Sequence, residues 1–220
     1  MFPKCFGGVF SRPEIMSSEK EHQLIAGALA LFMRLGIKSV NMDDVARHLG
    51  VSKKTLYLYF KDKEDLIRRV IDAHCIHEQQ SISAIQSKKL PAIDEMFEIM
   101  HWVLSILSKV NPSVQFDLEK YHPEQSRKMM ESRHGVVYDC MLSNMKKGQK
   151  EGMYRKDFHA DVIAKIYIAR MDILFDPRVF PFEKYLLTDL YKEVFQYHIR
   201  GIASAKGIEQ LEQLLKQKRK

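Results

Sequence analysis

Two short helical patterns joined by the turn Gly50-Val51-Ser52 constrain the fold of this 220-residue chain more than any other feature. The first pattern opens at Asn41, a good N-cap residue, and Asp44 stands where it completes a capping box. The second pattern follows directly after the turn, and Ser52 is suited to cap it. Two capped helices joined by a short turn that contains glycine are typical of a helix-turn-helix. The sequence therefore predicts this motif between residues 41 and 60.

Helical periodicity continues along the rest of the chain. Only 10 Gly and 7 Pro interrupt it, and further helices are predicted over roughly 65–87, 91–110, 112–121, 123–151, 160–175, 184–203 and 207–218. These patterns predict an all-α fold with a helix-turn-helix domain over residues 16–69 and a helical domain over residues 70–220. Residues 1–15 are expected to form a flexible leader, which leaves Met16 as an alternative natural start.

The outward face of the second short helix carries side chains suited to DNA. In a helix-turn-helix the first residues of that helix lie nearest the bases, where lysine can donate to guanine, while hydroxyls and further lysines suit phosphates. One candidate is Asn41, because backbone N–H groups at the start of the preceding helix can donate to a phosphate. The others are Lys53, Lys54, Thr55, Tyr57, Tyr59 and Lys63. The net charge of +7 suits an anionic partner. Lysines alone are usually a solvated face, so the prediction depends on the combination of caps, turn and basic face.

Residues 36–66, which include GIKSVNMDDVA and GVSKKTLYLYFKDKEDL, resemble the tetracycline-repressor-like (TetR) family. The resemblance implies an all-helical homodimer with an amino-terminal DNA-binding domain and a carboxy-terminal domain that binds an effector and dimerises. By similarity, base-contacting positions fall to Lys53 and Lys54, and phosphate-contacting positions to Tyr57, Tyr59 and Lys63. The chain is accordingly interpreted as a cytoplasmic, ligand-responsive transcriptional repressor that binds a palindromic double-stranded DNA operator.

The carboxy-terminal half is rich in aromatic and methionine side chains, which suit an adaptable apolar pocket between helices. The candidates to contact a small apolar or aromatic effector are His101, Trp102, Phe116, Tyr121, Tyr138, Met141, Met145, Tyr167 and Met171. For each of them the alternative is an ordinary position in the hydrophobic core.

Two predicted helices, Asp161–Phe175 and Tyr185–Ile202, have apolar faces broader than a helix requires to pack against a single hydrophobic core. The faces consist of Ile163, Ile166, Tyr167, Met171 and Leu174 on the first helix and Leu187, Leu190, Tyr191, Val194 and Phe195 on the second. Two such helices from each of two chains would form a four-helix dimer interface.

Metal, redox and catalytic functions find less support in the sequence. His74, His77 and Glu78 can share one helical face as metal ligands, but no fourth ligand is apparent. The three cysteines are far apart and form no CxxC, which indicates a reducing cytosol, and a redox role for Cys75 or Cys140 requires a lowered thiol pKa. The motifs GxSxG, HExxH and the P-loop do not occur, so neither an enzyme nor a cofactor is expected.

No apolar run in the sequence is long enough for a membrane span, so a membrane partner is not expected either. The function that remains as an alternative is a helical protein-interaction adaptor whose basic face binds an acidic partner. Steeply salt-dependent, sequence-specific binding to duplex DNA separates the regulator from the adaptor.

Overall fold

The computed structural model describes residues 12–111 and 113–217, and all regular structure in this part of the chain is helical. The helices are α1 (Arg12–Leu35), α2 (Met42–Leu49), α3 (Lys53–Tyr59), α4 (Lys63–Ser87), α5 (Ala92–Leu107), α6 (Ser113–Tyr121), α7 (Pro123–Glu151), α8 (Ala160–Ile173), α9 (Leu187–Ile202) and α10 (Ala205–Gln217). An isolated antiparallel bridge joins Tyr154 to Ala203. The prediction of an all-α fold is confirmed.

The helix ends lie close to their predicted positions because cap residues and chain breakers mark them. Three of the predicted helices, 91–110, 112–121 and 123–151, begin at a proline. Pro123 is indeed the first residue of α7, whereas Pro91 is the N-cap of α5 and not part of its first turn. Pro112 lies outside the described residues. Helix α1 begins at Arg12, so it includes the last four residues of the predicted leader. Residues 1–11 of that leader lie outside the described part of the chain.

Helices α1 to α3 and the first half of α4 enclose one hydrophobic core. Val45, Leu56 and Phe60 are buried in it, at the positions that the helical periodicity assigns to the inner face. Gly27 lets α1 approach α2 closely, because a Cβ atom there would overlap Leu49 Cδ2. Gly50 ends α2 in the left-handed conformation, with φ +64°, which turns the chain toward α3. The predicted helix-turn-helix is therefore present.

Most of the later helices enclose a second hydrophobic core. It draws on α5, the second half of α7, α8, α9 and α10, and Met145, Phe195 and Leu211 are fully buried in it. Helix α4 contributes Val70 and Ile71 to the first core and Ile82 and Ile85 to the second, so one continuous helix joins the two. Helix α6 and the start of α7 add Val114, Leu118 and Met129 to the first core.

The apolar faces of α8 and α9 are largely internal, which corrects the faces predicted from the sequence. Tyr167, Leu174, Tyr191 and Phe195 are buried in the second core, and Ile163, Met171, Leu187, Leu190 and Val194 pack against it. Of the ten predicted residues, Ile166 is exposed, at 49%. Helix α8 carries apolar residues around most of its circumference, so periodicity alone does not identify the face that turns inward. Helix α9 is amphipathic, and the structure turns its apolar face into the second core.

Among the described residues, no helix combines the length and hydropathy needed to cross a membrane.

Candidate nucleic-acid interface and internal cavity

The start of α2 is held by the capping box that the sequence predicts. Asn41 Oδ1 accepts hydrogen bonds from the backbone N–H groups of Asp43, at 2.9 Å, and Asp44, at 3.0 Å. In return, the Asn41 N–H donates to Asp44 Oδ2 at 3.0 Å. These N–H groups are thus occupied by the cap itself. A phosphate contact from this helix end would have to use the side-chain NH2 group of Asn41 or the Met42 N–H, which the cap leaves out, or it would have to compete with the cap.

Helix α3 presents its predicted recognition face to solvent. Its N-cap Ser52 accepts a hydrogen bond from the Thr55 N–H at 3.0 Å, which orders the first turn. Lys53, Lys54 and Tyr57 are exposed on the helix, and Tyr59 is half-buried beside Phe60. Leu58, which the sequence analysis did not select, is 75% exposed on the same helix. An exposed leucine on this face offers an apolar contact of the kind that the methyl group of thymine accepts.

Lys53 is held by an ion pair within the helix-turn-helix. Its Nζ lies 2.8 Å from Asp43 Oδ1, so the side chain reaches back from α3 to α2. Hydrogen bonding to Asp43 raises the pKa of Lys53 above its ordinary value. A base contact by Lys53 therefore requires this ion pair to open or to share its ammonium group with the DNA.

Lys63, the last predicted DNA contact, also has a structural role. Its Nζ donates to the backbone carbonyl of Ile37, at 2.7 Å, in the connection between α1 and α2. Partial burial lowers the pKa of Lys63 below its ordinary value, against the opposing effect of Asp117. This ammonium group ties the start of α4 to the helix-turn-helix before any DNA is bound.

A buried carboxylate, which is not among the predicted site residues, holds the same connection from the other side. Asp117 on α6 is 5% exposed, and its Oδ2 accepts hydrogen bonds from the N–H groups of Ile37, at 2.9 Å, and Lys38, at 2.8 Å. Nearby, the Asn111 N–H donates to the Met33 carbonyl at 2.7 Å, at the end of α1. Helix α6 is thereby attached to the helix-turn-helix through backbone groups about 80 residues away.

An apolar cavity of about 510 Å³ lies between the two cores. Four of the nine predicted effector-contact residues line it, namely Trp102, Met141, Tyr167 and Met171. Its wall also includes Phe32 of α1 and Ile67 and Val70 of α4, which belong to the core of the helix-turn-helix domain, and Leu29 and Met33 of α1, which pack against that core. The volume is within the range of about 300–1,000 Å³ that is typical of small-molecule sites.

The other five predicted residues do not line this cavity. Phe116 and Tyr121 are exposed on α6, at 54% and 40%. Met145 is fully buried in the second core, and the Tyr138 hydroxyl donates to Asp161 at 2.6 Å. His101 stacks edge-on against Phe97, with 4.9 Å between the ring centroids. Their aromatic or methionine character therefore serves packing and surface contacts in this structure.

One polar cluster interrupts the apolar wall of the cavity. It consists of His74 and Glu78, one turn apart on α4, and Arg133 on α7. Arg133 Nε lies 3.7 Å from Glu78 Oε1, which is an ion-pair distance but longer than a hydrogen bond. Burial, followed by the charge of Arg133, lowers the pKa of His74 to about 4, so its ring is neutral near pH 7. His77, the third residue of the possible metal motif, is exposed and is not part of the cavity wall.

The two described cysteines lack the lowered pKa that a reactive thiol requires. Burial raises the pKa of Cys75 and raises that of Cys140 to about 12. Both thiols are therefore protonated at neutral pH and behave as small apolar side chains.

Comparison with known proteins relates both parts of the chain to transcriptional regulators. Residues 24–70 match the family model of bacterial regulatory proteins of the tetR family. Over 163 residues, the chain is 24% identical to the uncharacterised HTH-type transcriptional regulator YfiR of Bacillus subtilis (strain 168), covering 70% of this chain and 77% of that protein.

The fold as a whole is also similar to solved structures. The transcriptional regulator FadR of Bacillus subtilis in complex with stearoyl-CoA aligns with a TM-score of 0.59 and 18% identity, over 82% of this chain and 98% of that one. A Saccharomonospora viridis protein in complex with choline aligns with a TM-score of 0.66 and 18% identity, over 85% of this chain and 99% of that one. The similarity of the fold therefore extends beyond the helix-turn-helix into the helices that surround the cavity.

Proposed function

Because this chain belongs to the TetR family of helix-turn-helix transcriptional regulators, we propose that it is a ligand-responsive repressor. In this proposal it binds a palindromic operator in the cytoplasm as a homodimer, and it releases the operator when a small apolar or aromatic effector fills the cavity. Its partners are double-stranded DNA, the effector and a second copy of the chain. It catalyses no reaction.

The observation that carries this proposal is the composition of the cavity wall. Residues of α1 and of the first half of α4 line the cavity together with residues of α5, α7 and α8. A ligand that widens the cavity must therefore displace side chains that also pack beneath the helix-turn-helix. Differential binding of this kind shifts a population between two conformations, and the coupling is reciprocal between ligand and DNA. The complexes of FadR with stearoyl-CoA and of the Saccharomonospora viridis protein with choline support a ligand site in this fold.

The DNA-binding part of the proposal assigns a role to each of the seven predicted contact residues. Lys53 and Lys54 read base edges, while Tyr57, Tyr59, Thr55 and Lys63 contact the phosphate backbone. Asn41 contacts a phosphate through its side-chain NH2 group, because its backbone N–H donates to Asp44. The predicted domain boundary between residues 69 and 70 lies inside α4. We propose to move it along the helix to the segment between Ile71 and Ile82, because Val70 and Ile71 belong to the first core and Ile82 and Ile85 to the second.

The homodimer is supported by an apolar stripe that α8 leaves uncovered. Val162, Ile166, Ala169 and Ile173 recur at helical spacing and are exposed, the three larger side chains by 47–49%. Tyr197 on α9 is 72% exposed. A continuous exposed apolar stripe of this kind marks an association surface. Two copies that meet through α8 and α9 would bury it in a four-helix interface.

Selection of bound sequences from a random duplex pool, followed by fluorescence anisotropy, tests the proposed function. The selected duplex is expected to bind at least about a thousandfold more tightly than a scrambled duplex at the same salt concentration. Its affinity is expected to fall steeply with salt, because phosphate contacts release counterions. Equal affinity for selected and scrambled duplexes would contradict the repressor and favour an adaptor whose basic face binds an acidic partner.

A further inference from the structure

The polar cluster in the cavity consists of His74, Glu78 and Arg133, and it carries the charged side chains of the wall. The two charges among the lining residues, all of which lie in the described part of the chain, are those of Glu78 and Arg133. Apart from this cluster the wall is predominantly aliphatic and aromatic, and it runs from α1 to α9. Uncharged polar groups of Ser108, Gln115 and Thr188 also line the cavity. A ligand that fills the cavity must therefore be mostly apolar, and this cluster is the place where charged donors and acceptors can meet its polar group.

The cluster is electrically neutral but rich in hydrogen-bond donors. Glu78 and Arg133 cancel in charge, and the neutral ring of His74 adds one N–H donor and one acceptor. The guanidinium group carries five N–H donors and meets Glu78 only at ion-pair distance. A carbonyl-type oxygen can therefore accept from Arg133 or His74 without bringing a charge into the cavity.

Charged ligand groups are disfavoured at this site. A carboxylate would leave the cluster with one uncompensated negative charge, and an ammonium group would add a positive charge beside Arg133. Placing an unpaired charge in an apolar interior is strongly unfavourable unless a partner neutralises it. Glu78 and Arg133 already neutralise each other, so neither a carboxylate nor an ammonium group of a ligand would find an unpaired opposite charge.

We propose that the cavity binds an elongated apolar ligand with an uncharged carbonyl-type head group, such as an ester, ketone or amide, and that His74, Glu78 and Arg133 bind this head group. This inference rests on the proposed function and narrows its effector to one chemical class. It also assigns Arg133 as the principal donor and Glu78 as the residue that excludes a carboxylate.

Three probes with the same alkyl chain test the head group, namely methyl decanoate, decanoate and decylamine, each kept below its aggregation concentration. Trp102 is the single tryptophan of the chain and lines the cavity, so its fluorescence in the full-length protein reports binding. Methyl decanoate is expected to give a saturable change near neutral pH, with an affinity about tenfold or more above those of the two charged probes. Decanoate binding as tightly as the ester, or no saturable change with the ester, would overturn the proposal.

Two variants identify the residues that bind the head group. Arg133→Met is expected to weaken methyl decanoate by about tenfold, whereas Arg127→Met, at an exposed position of the same helix, leaves it unchanged. Glu78→Gln keeps the shape of the side chain and leaves Arg133 uncompensated, so decanoate should become the preferred probe. An unchanged order of the three probes in Glu78→Gln would contradict the assignment even if Arg133→Met failed to fold.

A parallel measurement with the selected duplex separates this inference from the proposed function. Ester binding that leaves the duplex affinity unchanged would contradict ligand-responsive repression but not the head-group site. Specific duplex binding by a protein whose cavity prefers decanoate would contradict only the head-group site.

Discussion

Lys53 and Lys54 are neighbours in the chain, but their ammonium groups have different surroundings. Lys53 is paired with Asp43 at 2.8 Å, while Lys54 is exposed at the start of α3. An exposed amine that makes a new contact with guanine loses only water, whereas Lys53 must also loosen an existing ion pair. We therefore expect Lys54 to contribute more to base discrimination, and Lys53 to contribute both to discrimination and to the packing of α3 against α2.

The first prediction separates base reading from phosphate binding. Lys53→Ala or Lys54→Ala should cost about 1–3 kcal/mol on the selected duplex and reduce discrimination at one base pair in each half-site, with the larger effect for Lys54. Tyr57→Phe removes only a hydroxyl and should weaken selected and scrambled duplexes alike. Anisotropy titrations at two salt concentrations measure both effects. If both alanine variants weaken the two duplexes by one common factor, these lysines form only a basic surface.

A second prediction concerns pH and the buried His198 on α9. This side chain is 3% exposed, and its Nδ1 accepts from the Arg170 guanidinium group at 3.2 Å, which requires that nitrogen to be unprotonated. Burial, followed by the charge of Arg170, lowers the pKa of His198 to about 3 in the folded state. The unfolded chain, with an ordinary pKa of about 6.5, binds more protons below that pH. Stability is therefore complete above about pH 6.5 and is lost as the pH falls toward 3.

Urea unfolding at a fixed protein concentration measures this loss. Below pH 6, His198 alone should cost up to about 1.4 kcal/mol for each pH unit. His198→Asn keeps an acceptor for Arg170 without a titratable ring, so its stability should decline less with acid. The control His48→Asn, at an exposed position, should decline like the unmodified protein. Parallel pH profiles for all three proteins would show that His198 is not responsible.

Local interactions between residues could be predicted from the sequence, and distant ones could not. The capping box of Asn41 and Asp44 joins residues three positions apart, so residue type and spacing indicate it. Asp117 and Ile37 are 80 positions apart, and no sequence pattern in either segment predicts the hydrogen bond between them. The same is true of Lys63, whose charge suggested only a phosphate contact although its ammonium group also binds the Ile37 carbonyl.

Helix α6 is the element that attaches the cavity to the helix-turn-helix. Val114 and Leu118 line the cavity, and Asp117 between them accepts the two N–H groups that follow α1. Removing a buried carboxylate leaves these donors without their acceptor, at a cost of about 1–3 kcal/mol. Amide hydrogen exchange at Ile37 and Lys38 should therefore accelerate about ten- to hundredfold in Asp117→Ala.

The expected acceleration is local, and this distinguishes it from general destabilisation. Amides of α9 in the second core should keep their protection in Asp117→Ala, and Asp117→Asn should be intermediate because its amide oxygen can still accept. Glu119→Ala is the matched control, since Glu119 is exposed on the same helix. Equal acceleration throughout the chain would show that Asp117 stabilises the whole fold and does not specifically hold the connection between α1 and α2.

Helix positions could be predicted more completely than helix faces. Prolines, glycines and caps mark the ends of α4 and α7 in the sequence, and both helices end within two residues of prediction. The inward face of α8 was not predictable, because apolar residues surround this helix on nearly all sides. Packing against α7 decides which of them enter the core. The cavity was only partly predictable for the same reason, since residue type does not distinguish a core position from a lining position.

At the scale of the whole molecule, α8 lies between two surfaces. One of its sides lines the cavity, and the opposite side carries the exposed apolar stripe. Tyr167 and Met171 face the cavity, while Ile166 and Ile173 are exposed. A shift of α8 on ligand binding would therefore be felt at both surfaces. In the proposed dimer, this shift would change the separation of the two helix-turn-helix motifs without direct contact between ligand and DNA.

The last prediction is that Ile166 stands at the centre of the dimer interface. Sedimentation equilibrium should show a dimer of the unmodified protein at micromolar concentration. Ile166→Glu places a charge from each copy in an apolar interface, so it should raise the dimer dissociation constant by about a hundredfold or more. A monomer contacts only one half-site, so the loss of the dimer should also lower the affinity for the palindromic duplex. Ile76→Glu, at a 55% exposed position on α4, is the control and should remain dimeric. A monomeric unmodified protein, or an Ile166→Glu variant that stays dimeric, would show that this stripe is not the interface.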